Sequence, residues 1–449
     1  VIDDAIGAYH DIISSGQTAA NTHEALMTAL TQRNLCFGSR PICSVLRPRF
    51  LTPFQSEYLQ SRTSILSRAF RKMHDRAMRD RPFLKQFGVH DWEVELFGHE
   101  PGYDSPSPIA RFDGFFSREG RLQFVELNSQ SPAGAGYTDA LATVFAELPA
   151  FQEFQQSYTV TPLPCLGELT AALLGCYRQW SGNGEPPRIA IVDWTNVPTQ
   201  AEFVLFAEAL QAQGFETCIA DPRKLDYYNG TLRANGRRVN LVYRRILLRD
   251  LIDECGLNHP LIRAVREGAA CMVNPFRCKV LGKKAAFAVA TDDRNAVMFS
   301  AEEREAIREH IPWTRIVADR ITMHDGLHVD LLPYIVDNKD RLVLKPNNAH
   351  GGKQIVLGWN TDTATWAKCL SLAQSEGHVV QERVDVATEP YPSFDTGRLN
   401  IHERWVDTNP FVANGHAFGG CLTRLSTEPL VNVLTGGGVV PTFVVAKRV

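Results

Sequence analysis

Leu342-Val343-Leu344-Lys345-Pro346-Asn347-Asn348-Ala349-His350-Gly351-Gly352-Lys353-Gln354-Ile355-Val356-Leu357-Gly358 is the stretch that decides how the rest of the chain is read. Runs rich in leucine and valine flank a polar turn, a pattern that predicts strand, loop, strand. Glycines let a backbone approach a phosphate closely and turn successive N–H groups inward as an anion nest. Lys345 and Lys353 add point charge at the two ends of the loop. An ordinary hairpin could carry the same glycines for its turn alone, so the remaining chain has to separate the two readings.

At 449 residues the chain has room for two or three domains around a substantial core. A formal charge of −3 offers no electrostatic footprint for nucleic acid or an anionic membrane. The ten cysteines are scattered, with no CxxC pair and no histidines at zinc-finger spacing. That usage suits reduced thiols and predicts a soluble, cytoplasmic protein. Val1-Ile2-Asp3-Asp4-Ala5 lacks the basic and apolar runs of a signal peptide. No stretch reaches the roughly 20 apolar residues a membrane helix needs.

Outward from the glycine loop, residues 1–95 read as helical, with apolar positions three and four apart and a basic outer face over 64–73. From Ile109 the texture becomes that of strands. Ile109–Phe116 and Leu122–Asn128 form an expected hairpin. Period-2 geometry places Glu126 and Asn128 on one face, where their oxygens suit Mg²⁺ that phosphates also hold. A half-exposed strand with polar residues outward would look the same. Downstream, Ser129–Tyr137 is a small-residue loop with spare N–H groups, and Thr138-Asp139 are expected to cap a helix. After a linker at 181–187, Arg188–Asp193, Gln200–Gly214 and Phe215–Asp221 read as β-α-β, hence a parallel sheet. Its first loop lacks GxGxxG, so no dinucleotide is indicated. Asn196 and Gln200 in that region are candidate substrate contacts, with a simple capping role for Asn196 and Thr199 as the alternative. Leu241–Ile246 delivers Arg244 and Arg245, whose forks suit carboxylates, although a solvated pair is the plainer reading. The basic run from Arg277 to Lys284 opens an alanine-rich helix. Such charge at a helix start calls for a nearby anion, and a nucleotide phosphate fits. The His378–Val384 run is a strand of the kind that borders an adenine.

Three motifs, K-P-x-x-x-x-G-G-K at 345–353, E-L-N-x-x-S-P-x-G at 126–134 and R-L-S…N-V-L-T-G-G-G at 424–438, together resemble the ATP-grasp superfamily. The E-x-N strand precedes the phosphate loop, an order similar to the circularly permuted branch of eukaryotic-type glutathione synthetase and glutathionylspermidine-synthase-like proteins. The resemblance covers about 109–443; residues 1–95 match no named pattern. It implies an α/β fold, the α+β ATP-grasp arrangement in permuted order. Its divisions would be a helical region over 1–95, a first segment with the metal strand over 96–185, a parallel-sheet substrate domain over 186–272, and the glycine-loop and nucleotide segment over 273–449. It also implies an ATP- and Mg²⁺-dependent carboxylate–amine or –thiol ligase working through an acyl phosphate. The partners would be small molecules, with a homodimer as the default assembly.

By position, the resemblance assigns Mg²⁺ to Glu126, Asn128 and Asn348. It assigns the nucleotide to Lys284, Lys345, Asn347, Gly351, Gly352, Lys353, Gln381 and Glu382. Arg111, Ser131, Asn196, Gln200, Arg245 and Arg424 would contact substrate, with Arg424, Arg111 and Lys345 acting in catalysis. Relatives often carry a glutamate in the glycine loop as a further metal ligand, where this chain has Asn348-Ala349-His350. That departure leaves room for a nucleotide-binding protein without ligase chemistry, or for a small-molecule phosphotransferase.

Overall fold

The structure is a computed structural model and describes residues 2–182, 184–349, 352, 354–431 and 438–448. Its spine is a seven-stranded antiparallel sheet in which the expected hairpin, Ile109–Phe116 with Leu122–Asn128, forms one end. The neighbour of Ile109–Phe116 comes from far along the chain, Asn409–Ala413, followed by His416–Ser426, Arg398–Val406 and Thr388–Asp395. Gly438–Val440 pairs with His416–Ser426 off this path.

The helix Pro53–Ala77 lies against this sheet. It begins at Thr52, whose hydroxyl accepts from the Gln55 N–H while the Gln55 side chain returns a bond to the Thr52 backbone. This reciprocal cap and Pro53 in the first turn fix its start. Leu59, Leu66, Phe70 and Met73 fall on its buried face, and Phe70 meets Phe112 edge-on at 5.5 Å.

The β-α-β reading corresponds to a parallel sheet with strand order Cys271–Val273, Leu241–Arg244, Ile189–Val192 and Thr217–Ala220. The glycine-loop strands Leu342–Lys345 and Val356–Leu357 belong to a separate antiparallel sheet with Val379–Glu382 and Thr314–Ile316. That sheet has its own small core, around Trp366, Leu331, Ile335 and Leu344. The 273–449 segment therefore divides between this core and the two larger ones.

The first 95 residues are not wholly helical. Arg49–Leu51 is a strand that pairs in parallel with Thr442–Lys447, which in turn pairs with Tyr158–Pro162. Thr138-Asp139 do not open a helix. The helix begins at Ala135 behind Gly134, which adopts φ 111°, and the Asp139 carboxylate instead accepts from the N–H groups of Cys165 and Leu166 at the start of the helix Leu166–Ser181. No helix among the described residues is long and apolar enough to cross a membrane.

Candidate active site

The hairpin register sets Arg111 opposite Asn128 and Asp113 opposite Glu126, so these four polar side chains share one face. Strict alternation along 122–128 would also put Phe124 on that face. A bulge at Val125 prevents it, since Gly114 pairs with Phe124 while Asp113 pairs with Glu126. Phe124 thereby turns to the core, 5.3 Å from Phe112, and Glu126 turns to a cavity. Gly114 is required here, because a Cβ would lie 2.6 Å from the Phe124 ring and 2.8 Å from the Gln123 carbonyl.

That cavity has a volume of about 680 Å³, ordinary for a small-molecule site. A second, of about 670 Å³, lies behind the same wall, and Glu126, Asn128, Ser131, Leu247 and Asp250 border both. Lys345 lines the first and Lys284 the second, so the two lysines approach Glu126 from different cavities. Lys284 Nζ is 3.2 Å from Glu126 and donates to the Ala349 carbonyl at 2.9 Å, while Lys345 donates to Gln381 at 2.5 Å. Burial would raise the Glu126 carboxyl, but Lys284, Lys345 and Arg424 together hold it well below the usual carboxylate range. Burial pulls Lys345 down to about 8 against the opposing charge of Glu126.

Both arginines assigned to catalysis converge on Asp113, a residue the sequence reading did not nominate. Arg111 grips it in a fork at 2.7 and 2.9 Å and also donates to the Ala133 carbonyl. Arg424 donates to Asp113 at 2.7 Å and to the fully buried Asp407 at 2.5 Å. Burial would lower the Arg424 guanidinium, but Asp407 and Asp113 outweigh it and keep the group above its ordinary value. Period-2 spacing could have revealed Asp113, because it stands two residues from Arg111 on the same strand face. Nothing local points to Asp407.

The other assigned residues divide. Gln381, Glu382 and Gly352 line the first cavity, and Glu382 is held by His324 at 2.8 Å, itself bonded to Tyr334. Ser131 lines both cavities and donates to the Arg245 carbonyl. Arg245 borders the first cavity but is already bonded to Glu202, Pro132 and Tyr243. Its neighbour Arg244 is fully buried, so neither arginine is solvated. The same Glu202 accepts from the N–H groups of Gly134 and Gly136, so the expected spare donors of that loop are taken by protein.

Four assigned residues lie away from the cavities or are bonded to protein groups. Asn347 lines neither cavity; its amide is used at both ends, accepting from the Ala285 N–H and donating to the Phe87 carbonyl. Asn348 borders the second cavity, and its side-chain oxygen accepts from Lys283 at 2.7 Å, which uses one of its two lone pairs. Asn196 is exposed in a left-handed conformation, φ 68°, and Gln200 has entered the following helix. Neither borders either of these two cavities, and Val197, Pro198 and Thr199 between them border the first. Gly351 and Lys353 lie outside the described residues, as does most of the 432–438 glycine cluster.

The basic run does have its anion, and it is protein. Glu93, fully buried, sits 2.8 Å from Lys283 and 3.4 Å from Lys279. Burial still draws Lys283 down to about 8. Removing one member of a buried ion cluster strands the others, so Glu93→Gln is expected to lower stability by about 3–5 kcal/mol. Urea unfolding followed by tryptophan fluorescence would measure it.

Among the described residues no three histidine, cysteine, aspartate or glutamate side chains cluster closely enough to hold a metal by themselves. Glu126 and Asn128 fit a cation whose shell is completed by phosphate oxygens, the usual manner for Mg²⁺, and do not fit an all-protein cage.

The acid–amide strand Leu122–Asn128 comes earlier in the chain than the strand–loop–strand over 342–357, and the fold as a whole is one already seen in a solved glutathione synthetase-like protein. Among solved structures, the chain resembles a glutathione synthetase-like effector of Globodera pallida in its apo form. The TM-score is 0.61 at 14% identity, covering 97% of this chain and 99% of that one. A "Putative gamma-glutamylcysteine synthetase" of Methylobacillus flagellatus aligns at a TM-score of 0.41 and 11% identity, over 85% of each chain. In sequence, 275 residues are 25% identical to "Putative glutamate--cysteine ligase 2-2" of Frankia casuarinae. The match covers 58% of this chain and 29% of that protein's length. No protein-family model matches the chain.

Proposed function

We propose that the chain is an ATP-dependent ligase that joins the carboxylate of an amino acid or small peptide to an amine or thiol. The observation that carries this reading is the meeting of Glu126, Lys284, Lys345 and Arg424 around one wall. Phosphoryl transfer needs charge neutralisation and positioning more than a protein nucleophile, and this set supplies both. The carboxylate would take the γ-phosphoryl group of ATP to give an acyl phosphate, which the amine or thiol opens with loss of phosphate. Mg²⁺ held by Glu126 and Asn128 would neutralise phosphate oxygens. Lys284 and Lys345 would bind the polyphosphate from two sides, and Gln381 and Glu382 would border the nucleoside. Arg424, its fork anchored on Asp113 and Asp407, would face the developing charge on the acyl group. The glutamate–cysteine ligase relative supports L-glutamate as a first acid to try.

The test is ADP release with each of the twenty L-amino acids as acid and hydroxylamine as trap. ADP together with a hydroxamate supports the ligase. A phosphorylated product that does not react with hydroxylamine selects phosphotransfer. Magnesium-dependent ATP binding without turnover selects a nucleotide-binding role, which the engagement of Asn348 by Lys283 favours as the second reading.

Lys345 gives this site a pH signature. An anionic phosphate beside the ammonium raises its pKa, so above about 8 the bound form keeps a proton that the free protein has lost. ADP binding should therefore take up a proton at pH 8.5, and affinity should fall as pH rises through 8. Calorimetry in buffers of different ionisation enthalpy reads the uptake directly. Lys345→Ala should abolish it.

A further inference from the structure

The ligase reading leaves one proton without an owner. An amine that becomes an amide sheds a proton from nitrogen, and the cavity must hold a group to receive it. No histidine or cysteine lines the first cavity among the described residues. Of its carboxylates, Asp113 is bound by Arg111 and Arg424, Glu126 by Lys284 and Glu382 by His324. Asp385 lies on the 383–386 segment, next to the nucleoside-bordering Gln381 and Glu382, and Asp250 lies on the helix Leu248–Cys255 at the border shared with the second cavity.

Asp193 is placed differently. It stands at the carboxyl end of the central parallel strand Ile189–Val192, the edge where open α/β sheets bind small ligands. One of its oxygens accepts from the Trp194 N–H at 2.8 Å, and the other has no hydrogen-bond partner among the described residues. It borders the same cavity as Ser131, Arg245 and Arg424.

Resting on the ligase reading, we propose that Asp193 is the general base of the second half-reaction, receiving the proton from the amine that attacks the acyl phosphate. As the N–C bond forms, the C–O bond to phosphate breaks and phosphate leaves with the electron pair. The nitrogen proton passes to the Asp193 carboxylate and from there to water at the cavity mouth. The electrical surroundings suit that task. Burial pushes the carboxyl up to about 6, with Asp250 on the helix Leu248–Cys255 adding to the rise and Arg245 and Arg244 opposing it. The group is thus ionised at neutral pH yet basic enough to accept a proton.

Hydroxylamine separates this step from the first. It is largely uncharged at neutral pH and attacks acyl phosphates without catalytic help. With full-length protein, ATP, Mg²⁺ and the acid found by the hydroxamate screen, Asp193→Asn should lower amide formation with L-cysteine or glycine by about 10²–10³-fold. Hydroxamate formation by the same variant should fall less than threefold, which also shows that it is folded. Asp193→Glu should recover part of the amide rate. Asp250→Asn removes a like charge, so it should move the acid limb of amide-forming kcat to lower pH. Wild-type amide rates in Asp193→Asn, or equal loss of amide and hydroxamate, would overturn the assignment. No hydroxamate from the wild-type protein would sink the ligase reading itself, and this one with it.

Discussion

Arg424→Ala should lose both activity and much of its stability. The substitution leaves Asp407, fully buried, and Asp113, 3% exposed, without the guanidinium that bridges them. Breaking a buried ion network by removing one partner costs about 3–5 kcal/mol, because the orphaned Asp407 charge stays in a poor solvent while Asp113 keeps its fork to Arg111. Turnover should fall by about 10²–10³-fold, the usual loss when an electrostatic stabiliser of acyl or phosphoryl chemistry is removed. Arg424→Lys should rescue neither property well, since a point ammonium cannot reproduce a fork that spans two carboxylates. Adding Asp407→Asn to Arg424→Ala removes that orphaned charge and should restore part of the stability with no gain in activity. The two effects are thereby separable by thermal unfolding and by ADP release. The pH dependence has a definite sign. Burial already raises the Asp407 carboxyl, and without the Arg424 guanidinium only the Asn409 amide and the N–H of residue 424 oppose that push. The folded variant then holds a proton that the unfolded chain has lost, so its stability should drop as pH rises above the ordinary carboxylate range.

Glu126→Gln should leave the fold in place and remove the chemistry. Its side chain is 29% exposed, so water can reach the lysine it leaves behind. Turnover is expected to drop by about 10²–10³-fold, and the Mg²⁺ concentration for half-maximal rate should rise. Binding of ADP without metal should change little, because Lys284 and Lys345 remain. A variant that keeps its metal dependence unchanged would remove Glu126 from the cation site.

What was readable from the sequence was whatever has a local period or a local turn. The E-x-N pair, the hairpin that carries it, the β-α-β unit and the strand–loop–strand around Lys345 all rest on spacings of a few residues. The buried acids do not. Glu93, Glu202 and Asp407 each neutralise or position a group distant in sequence, and a lone glutamate in a helix looks identical whether it faces water or a buried lysine. For that reason the basic run at 277–284 was matched to a nucleotide phosphate, while Glu93 already stood against Lys279 and Lys283. Asn347 and Asn348 show the converse limit. Their place in a phosphate-type loop suggested ligands, but an amide in a tight loop satisfies backbone and lysine neighbours first. The bulge at Val125 does leave a local trace, the adjacent apolar pair Phe124-Val125 that breaks the alternation of 122–128, and the pairing of Gly114 with Phe124 shows the extra residue.

The long-range strand pairings bear on biosynthesis. Residues 109–116 pair early with 122–128 but meet their second sheet neighbour only at 409–413, and 49–51 meet theirs only at 442–447. During translation these early segments must wait with open backbone edges until the distal ones emerge from the ribosome. Partners so far apart fold slowly and present sticky surfaces meanwhile. A message cut short before codon 409 should therefore yield inclusion bodies or chaperone-bound chains in place of a weakened enzyme.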